Sequence, residues 1–501
     1  MRKESRKVGI VLSYLSVIIT AASNFILIPF YLRTLGSDAY GLYEYVYSLA
    51  AYAAILDFGI ANVMIRYITE YRIRGDKKAE ENFAAHALLI TGAAMLLIAG
   101  IGLGLYMNIE KVIVHRSESE MAIARIIFLF MIGRILLVLV QHYFDGILLS
   151  YEKYVEAKGV AVFRILSKLV MIIALVSYSR SVLGIVIGDF LASLFCILAS
   201  AVCARKLHFK VKWYYFDKKL FRDATVLIFA LLLQSIVNFA NNALDKYIVG
   251  GFLTNSMVTL YAVALSMYEV YQTVTISINP IFMPKVTALI TSGAGSEEIT
   301  DETISVGRLQ AILCLAMMGG FFVFGKEFLI MWSGEEMAGA WSVTLLLMAG
   351  GTIPLVQSTC LSVLTVYNKR LFRSLVLLGI AITNLVLSVI LVQKIGVVGV
   401  ALGTFLAFIC GNGIVMNVYY QKNIGLNVGR MLYGIFRGIL PSALLAVIAC
   451  LPYMIWFHGR LLSFGIGVLV FCAVYCLALW LFGLNEREKN LVCHTLKRRK
   501  K

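Results

Sequence analysis

The sequence predicts an all-α polytopic membrane protein with about fourteen transmembrane helices, two six-helix lobes and a final helix pair. Three observations predict it. Of 501 residues, 60% are hydrophobic and 15% charged, with a mean hydropathy of +0.85, far from the balance of a soluble domain. The apolar residues gather into runs of about 20, the length that crosses roughly 30 Å of hydrocarbon at about 1.5 Å per residue. Backbone groups in lipid must be paired within their own element, so such runs are helices, whereas a barrel would show shorter alternating segments. The third observation is the loop charge: with the N-terminus inside, cytoplasmic loops and tails carry 30 lysines and arginines against 7 on the other side, and a missed or invented span would flip every later loop. The net charge of +17 follows from this bias and from attraction to anionic lipid, and it does not imply nucleic acid.

The first span, 8–32, follows the basic stretch MRKESRK and continues through FILIPFYL, so it is expected to remain as an uncleaved helix rather than a signal peptide. Ser16, Thr20 and Asn24 recur on one of its faces, and Pro29 marks a bending point. The second span, 40–69, carries Asp57 at mid-membrane and Arg66 near its end. The third, 82–107, contains Gly100 and Gly104 at a spacing that suits close helix packing, as do Gly184/Gly188 in the sixth span (182–203) and Gly399/Gly403 in the twelfth (397–420). The fourth span, 121–150, places Arg134 near its middle, with Gln141 and Asp145 on the same face and His142 adjacent; the fifth, 159–179, carries Arg164 and Lys168 one turn apart. Ionised side chains at mid-membrane cost at least about 2.5 kcal/mol on insertion scales. Arg134, Arg164 and Lys168 therefore either make an anion site, for which arginine forks suit phosphate oxygens, or pair internally with Asp57, Asp145 or Asp189. Arg66, Arg125, Lys246 and Arg308 lie within about two turns of a span end, where snorkelling explains them.

The most basic loop, 204–223, separates the halves. The seventh span, 224–250, includes QSIVNFANNALDKY, in which Gln234, Asn238, Asn241 and Asp245 fall within roughly 60° of one another, with Asn242 on the flank. A polar face unbroken over three turns needs many partners or water, and a water-filled lumen is the favoured reading. The eighth span, 258–284, adds Glu269, Gln272, Thr273 and Ser277, with Pro280 and Pro284 as bending points. The remaining spans are expected at 304–331, 340–366, 374–393, 397–420, 432–456 and 461–482; Arg437 in the thirteenth is read as a headgroup contact. GFFVFGKE (320–327) imitates a phosphate loop but lacks the strand before it and the Ser or Thr after the lysine. Nine cysteines without paired C-x-x-C spacing read as reduced and structural, and no metal-ligand cluster is expected. The layout is an N-lobe at 1–203, a basic linker at 204–223, a C-lobe at 224–420, two further helices at 421–483 and a basic tail at 484–501. Weak similarity between the halves, such as Asn24-Phe25 with Asn238-Phe239 and Leu42-Tyr43 with Leu260-Tyr261, suggests a parallel repeat about an axis along the membrane normal.

Over residues 26–71 the chain resembles the opening of bacterial polysaccharide-biosynthesis transporters, the O-antigen-type oligosaccharide flippases of the multidrug/oligosaccharidyl-lipid/polysaccharide exporter superfamily. The resemblance rests on Leu35-Gly36, on Tyr40 to Tyr43, on Asp57-Phe58-Gly59 and on Arg66. It implies a V-shaped transporter working by alternating access, not an enzyme, in the bacterial plasma membrane with both termini cytoplasmic. Its cargo would be an oligosaccharide on a polyprenyl pyrophosphate, moved to the outer leaflet for surface polysaccharide synthesis. Arg134, Arg164, Lys168 and Arg66 would then hold the pyrophosphate, and Asn24, Gln234, Asn238, Asn241 and Asn242 would face the sugars. Asp57, Asp245 and Glu269 are the candidates for binding H+ or Na+ if a gradient drives transport, and no cofactor is expected. Lipid-linked oligosaccharide, anionic lipids and other polysaccharide-assembly proteins are the expected partners. A multidrug/cation antiporter or a peptidoglycan lipid-precursor flippase of the same superfamily is the alternative reading, and a membrane-embedded sugar polymerase or ligase a weaker one.

Overall fold

The computed structural model describes residues 2–54, 59–114, 116–207, 209–216, 243–367, 369–456, 461–486 and 488–490. Among them every regular element is helical. The chain forms two compact units, Met1–Thr259 and Leu260–Lys501, so the first unit extends past the basic loop that separates the halves in sequence.

The first unit contains α1 (Arg2–Leu35), α2 (Ser37–Ala54), α3 (Ile60–Arg74), α4 (Lys77–Met107), α5 (Ile109–Val112), α6 (Glu118–Ser150), α7 (Tyr154–Ser179), α8 (Leu183–Arg205) and α9 (Leu244–Phe252). Local chemistry sets the ends. Gly36, at φ +83°, turns α1 into α2 in a backbone conformation that other residues rarely adopt. Asp76 caps α4 by accepting from Ala79 N at 3.0 Å, and Ser117 with Glu120 forms a reciprocal capping box on α6. The core of the unit lies where α6, α7 and α8 pack on one another, with α1 along α7 and α3 along α6.

The glycine spacings divide by outcome. A Cβ on Gly188 would stand 2.9 Å from Ile172, and one on Gly184 2.9 Å from the Val176 nitrogen, so these glycines let α8 lie against α7. Gly100 and Gly104 meet nothing within 4 Å among the described residues, so the close packing expected at that pair is not found there. Aromatic residues of the extended 209–216 segment pack on the first unit: Trp213 stacks on His86 at 4.2 Å, and Asn82 Oδ1 accepts from Tyr214 N at 2.9 Å.

The second unit is built around the long α12 (Ser296–Ser333). It comprises α10 (Asn255–Ile276, whose first turn belongs to the first unit), α11 (Asn279–Thr291), α12, α13 (Ala340–Val356), α14 (Ser358–Val366), α15 (Arg370–Ile395), α16 (Val397–Phe408), α17 (Met416–Tyr419), α18 (Val428–Phe436), α19 (Ile439–Trp456) and α20 (Leu461–Ala478). The helix is interrupted between Ile276 and Asn279, immediately before Pro280, as expected of a proline bending point. Wider π turns at Ile409–Val415 and Tyr420–Ile424 flank α17. Gly399 and Gly403 press against Leu391 O and Ser388 Oγ, which closes α16 onto α15. The phosphate-loop imitation at 320–327 lies inside α12.

Eleven helices among the described residues are long and apolar enough to cross a membrane, and the protein is a multi-pass membrane protein. They coincide with eleven of the fourteen expected runs. The count of about fourteen is not established by them, because the 40–69 run is divided into α2 and α3, most of 224–250 lies outside the described residues, and 258–284 is α10 followed by α11.

Candidate functional site

The fourth, fifth and sixth hydrophobic runs become α6, α7 and α8, and their packing brings the three mid-membrane cations around one carboxylate. Asp189, on α8 and 5% exposed, faces Arg134 Nε at 3.0 Å and Lys168 Nζ at 3.3 Å, both through Oδ2. Arg164, one turn before Lys168 on α7, lies within electrostatic reach of Asp189 and of Asp145. Three cations against these two carboxylates leave one net positive charge. Internal pairing is therefore present, with one cation of the three in excess of these two carboxylates.

Space separates the cations. Arg164 and Lys168 line a cavity of about 310 Å³ together with the carboxylate Asp145 and with Ser16, Thr20, Ser23 and Asn24 of the polar face of α1. Arg134 instead meets Tyr43, Tyr47, Phe130 and Asp189 around a gap of about 10 Å³, room for no more than one water. Gln141 lines the cavity too; its Nε2 donates to Asp145 Oδ1 at 2.9 Å and to Ser200 Oγ at 2.7 Å. The hydroxyls of Ser16 and Thr20 donate to carbonyls of their own helix, Ser13 O and Ser16 O, each at 2.7 Å. Ser23 Oγ and Gln141 Oε1 are buried with no hydrogen-bond partner among the described residues, which leaves polar capacity next to the cavity. A cavity lined by two cations, one carboxylate, hydroxyls and amides offers partners to a polyhydroxylated anion, because each charge and each polar atom must find a partner when water leaves.

The other candidates are placed differently. Arg66 is exposed on α3, its guanidinium 5.5 Å from the Tyr67 ring, and it is not among the cavity residues. Glu269 is exposed on α10. Asp245 is buried on α9, within electrostatic reach of Tyr52. Asp57, Gln234, Asn238, Asn241 and Asn242 lie outside the described residues.

Snorkelling fails for two cations. Lys246 is 9% exposed and pairs with Glu44 at 2.8 Å, over the Tyr47 ring. Arg308 is 3% exposed: its guanidinium meets both carboxylate oxygens of Glu488 at 2.8 and 3.0 Å and donates to the carbonyls of Gly434, Arg437 and Gly483. Arg125 keeps its expected interfacial character, half-exposed and paired with Glu110 at 2.5 Å, and Arg437 is exposed.

Glu44 is the polar residue that the sequence reading missed. It accepts from Tyr40 Oη at 2.9 Å and sits beside a ladder of Tyr31, Tyr40, Tyr43 and Tyr47 with ring centroids 5.2 to 6.1 Å apart. The signal was legible as a carboxylate in an apolar run with tyrosines three and four residues to either side. Together α2 and the start of α6 hold the 244–259 segment. Arg116 Nη2 donates to Gly250 O at 3.0 Å, Asn255 Nδ2 to Glu120 Oε1 at 2.7 Å, and Thr259 Oγ1 to Ser37 O at 2.6 Å, while a Cβ on Gly250 would strike the Tyr45 ring.

No group of three or more His, Cys, Asp or Glu residues that could hold a metal occurs among the described residues. The eight described cysteines are free.

A family model for polysaccharide biosynthesis proteins matches residues 7–290. The chain is 20% identical over 493 residues, 94% of each protein, to the Bacillus subtilis protein described as uncharacterized membrane protein EpsK. Among solved structures it is similar to the lipid II flippase MurJ in an inward closed conformation, with a TM-score of 0.73, 15% identity, and 94% of this chain and 97% of that one covered. It is also similar to an inward-facing multidrug resistance MATE family transporter of the MOP superfamily, with a TM-score of 0.60, 14% identity, and 80% and 99% covered. At these identities the likeness is one of fold.

Proposed function

Because the chain belongs to the polysaccharide biosynthesis protein family, we propose that it is a flippase that carries a polyprenyl-pyrophosphate-linked oligosaccharide from the cytoplasmic to the outer leaflet by alternating access. The observation that carries this reading is the cavity of the first unit, where Arg164 and Lys168 share a lining with the hydroxyls and amide of α1. Pyrophosphate meets the cations, and sugar hydroxyls exchange hydrogen bonds with Ser23, Asn24 and Gln141. The lipid tail stays in the bilayer, where its transfer costs nothing. The protein would sit in the bacterial plasma membrane with both ends cytoplasmic, as the loop charges favour.

The cation-antiporter reading has less support. Among the described residues Glu44 and Asp189 are already paired with cations, so at these two carboxylates a cationic drug would have to displace a lysine or an arginine, and the cavity's own carboxylate, Asp145, shares its lining with Arg164 and Lys168. A peptidoglycan lipid precursor shares the pyrophosphate, and it is the sugar that distinguishes the two flippase readings. Coupling to an H+ or Na+ gradient through Asp57, Asp245 or Glu269 is part of the proposal. Transport in vesicles that ignores both gradients removes it.

The test is complementation. Wild-type protein restores surface polysaccharide to a strain lacking its own flippase, and the Arg164→Ala/Lys168→Ala variant, present in the membrane at wild-type level, does not. Equal restoration by the variant overturns the anion site.

A further inference from the structure

We infer that Asp189 is a positioning residue that parks Lys168 and hands it to an arriving phosphate, with Arg134 as the fixed counter-ion that makes the exchange reversible. This deepens the proposed function and rests on it.

The two cations on Asp189 are not equivalent. Lys168 is the more exposed side chain, 33% against 21%. It also lines the cavity, whereas Arg134 does not. Its ammonium rides on a flexible four-carbon stem, while the planar guanidinium of Arg134 is boxed by Tyr43, Tyr47 and Phe130. Both bind the same oxygen, and Oδ1 is buried without a hydrogen-bond partner among the described residues. That arrangement leaves the carboxylate poorly saturated for a structural ion pair.

The consequence is an exchange at small energetic cost. When one member of an isolated buried pair leaves, the other becomes an uncompensated charge, which is strongly unfavourable. Here Lys168 can swing toward an anion in the cavity while Asp189 keeps Arg134. When the anion departs, Asp189 draws Lys168 back and restores the empty site. Asp189 thereby weakens binding and speeds release, which is what a carrier needs, because a cargo held too tightly does not leave.

The test uses the purified full-length chain in detergent with inorganic pyrophosphate as probe, measured by calorimetry at two salt concentrations. Asp189→Asn is expected to bind pyrophosphate roughly ten-fold tighter, since it removes an opposing charge a few ångströms from Lys168. It should also flip lipid-linked oligosaccharide more slowly in vesicles. Asp189→Glu should stay within about two-fold of wild type, and Lys168→Met should bind more weakly. Structural damage lowers affinity, so tighter binding is a readout that a merely structural role does not produce. If Asp189→Asn does not fold, Asp189→Asn/Arg134→Met removes both charges together, frees Lys168 equally and must also tighten binding. Binding no tighter than wild type in whichever of these variants folds overturns the exchange; loss of affinity in Lys168→Met would leave the anion site standing in that case. Absence of saturable pyrophosphate binding to the wild type overturns both.

Discussion

The two units bury arginine in opposite ways. In the second, Arg308 meets both oxygens of Glu488 and three backbone carbonyls, so its guanidinium is saturated. In the first, Arg134 and Lys168 share one oxygen of Asp189, the other oxygen lacks a hydrogen-bond partner among the described residues, and an open polar space lies beside Lys168. The second unit's large groove, about 570 Å³, is lined by residues such as Phe321, Phe324, Phe328 and Phe471, with no charge on its walls. A saturated charge fastens helices, whereas one left short of partners next to open space is available to a ligand.

Substitutions can break or sharpen this contrast. The largest effect is expected at Arg308→Ala, which leaves Glu488 without its partner and should cost about 3–5 kcal/mol, read as a fall in the detergent melting temperature; Arg308→Lys should not rescue it, because an ammonium cannot reproduce the fork. Next, overpacking by Gly188→Leu should cost about 1–3 kcal/mol, while Gly104→Leu on α4 should leave the melting temperature unchanged. A double-mutant cycle on Glu44→Gln and Lys246→Met should give a coupling of about 0.5–3 kcal/mol; a value near zero would place that pair with the loosely held charges. Smallest in stability is Arg164→Ala, expected within about 1 kcal/mol of wild type yet defective in transport. A melting loss as large as that of Arg308→Ala would erase the distinction between the units.

Much of the fold was readable in the sequence because span length and loop charge are imposed by the bilayer, whatever the neighbours do. The cavity was readable in part, for the same local reason: Ser16, Thr20 and Asn24 share a helical face, and Arg164 and Lys168 share another. The partners were not. Lys246 and Glu44 are 202 positions apart and Arg308 and Glu488 are 180 apart, so a count of turns from a span end assigned both cations to snorkelling. Spacing motifs fail likewise, since Gly100/Gly104 and Gly184/Gly188 read identically and, among the described residues, only the latter of these two pairs finds a helix opposite.

The π turn at Ile409–Val415 carries a lesson about reading amides in lipid. On regular α geometry Asn412 and Asn417, five positions apart, point roughly 140° away from each other, and a helical wheel sends one of them into hydrocarbon. A widened turn brings residues five apart into line, and here both amides are buried, at 4% and 7% exposure, with Asn417 meeting Gln357 at 2.9 Å. The local unwinding spares the bilayer a carboxamide, and reverting it by deleting one residue would expose that group.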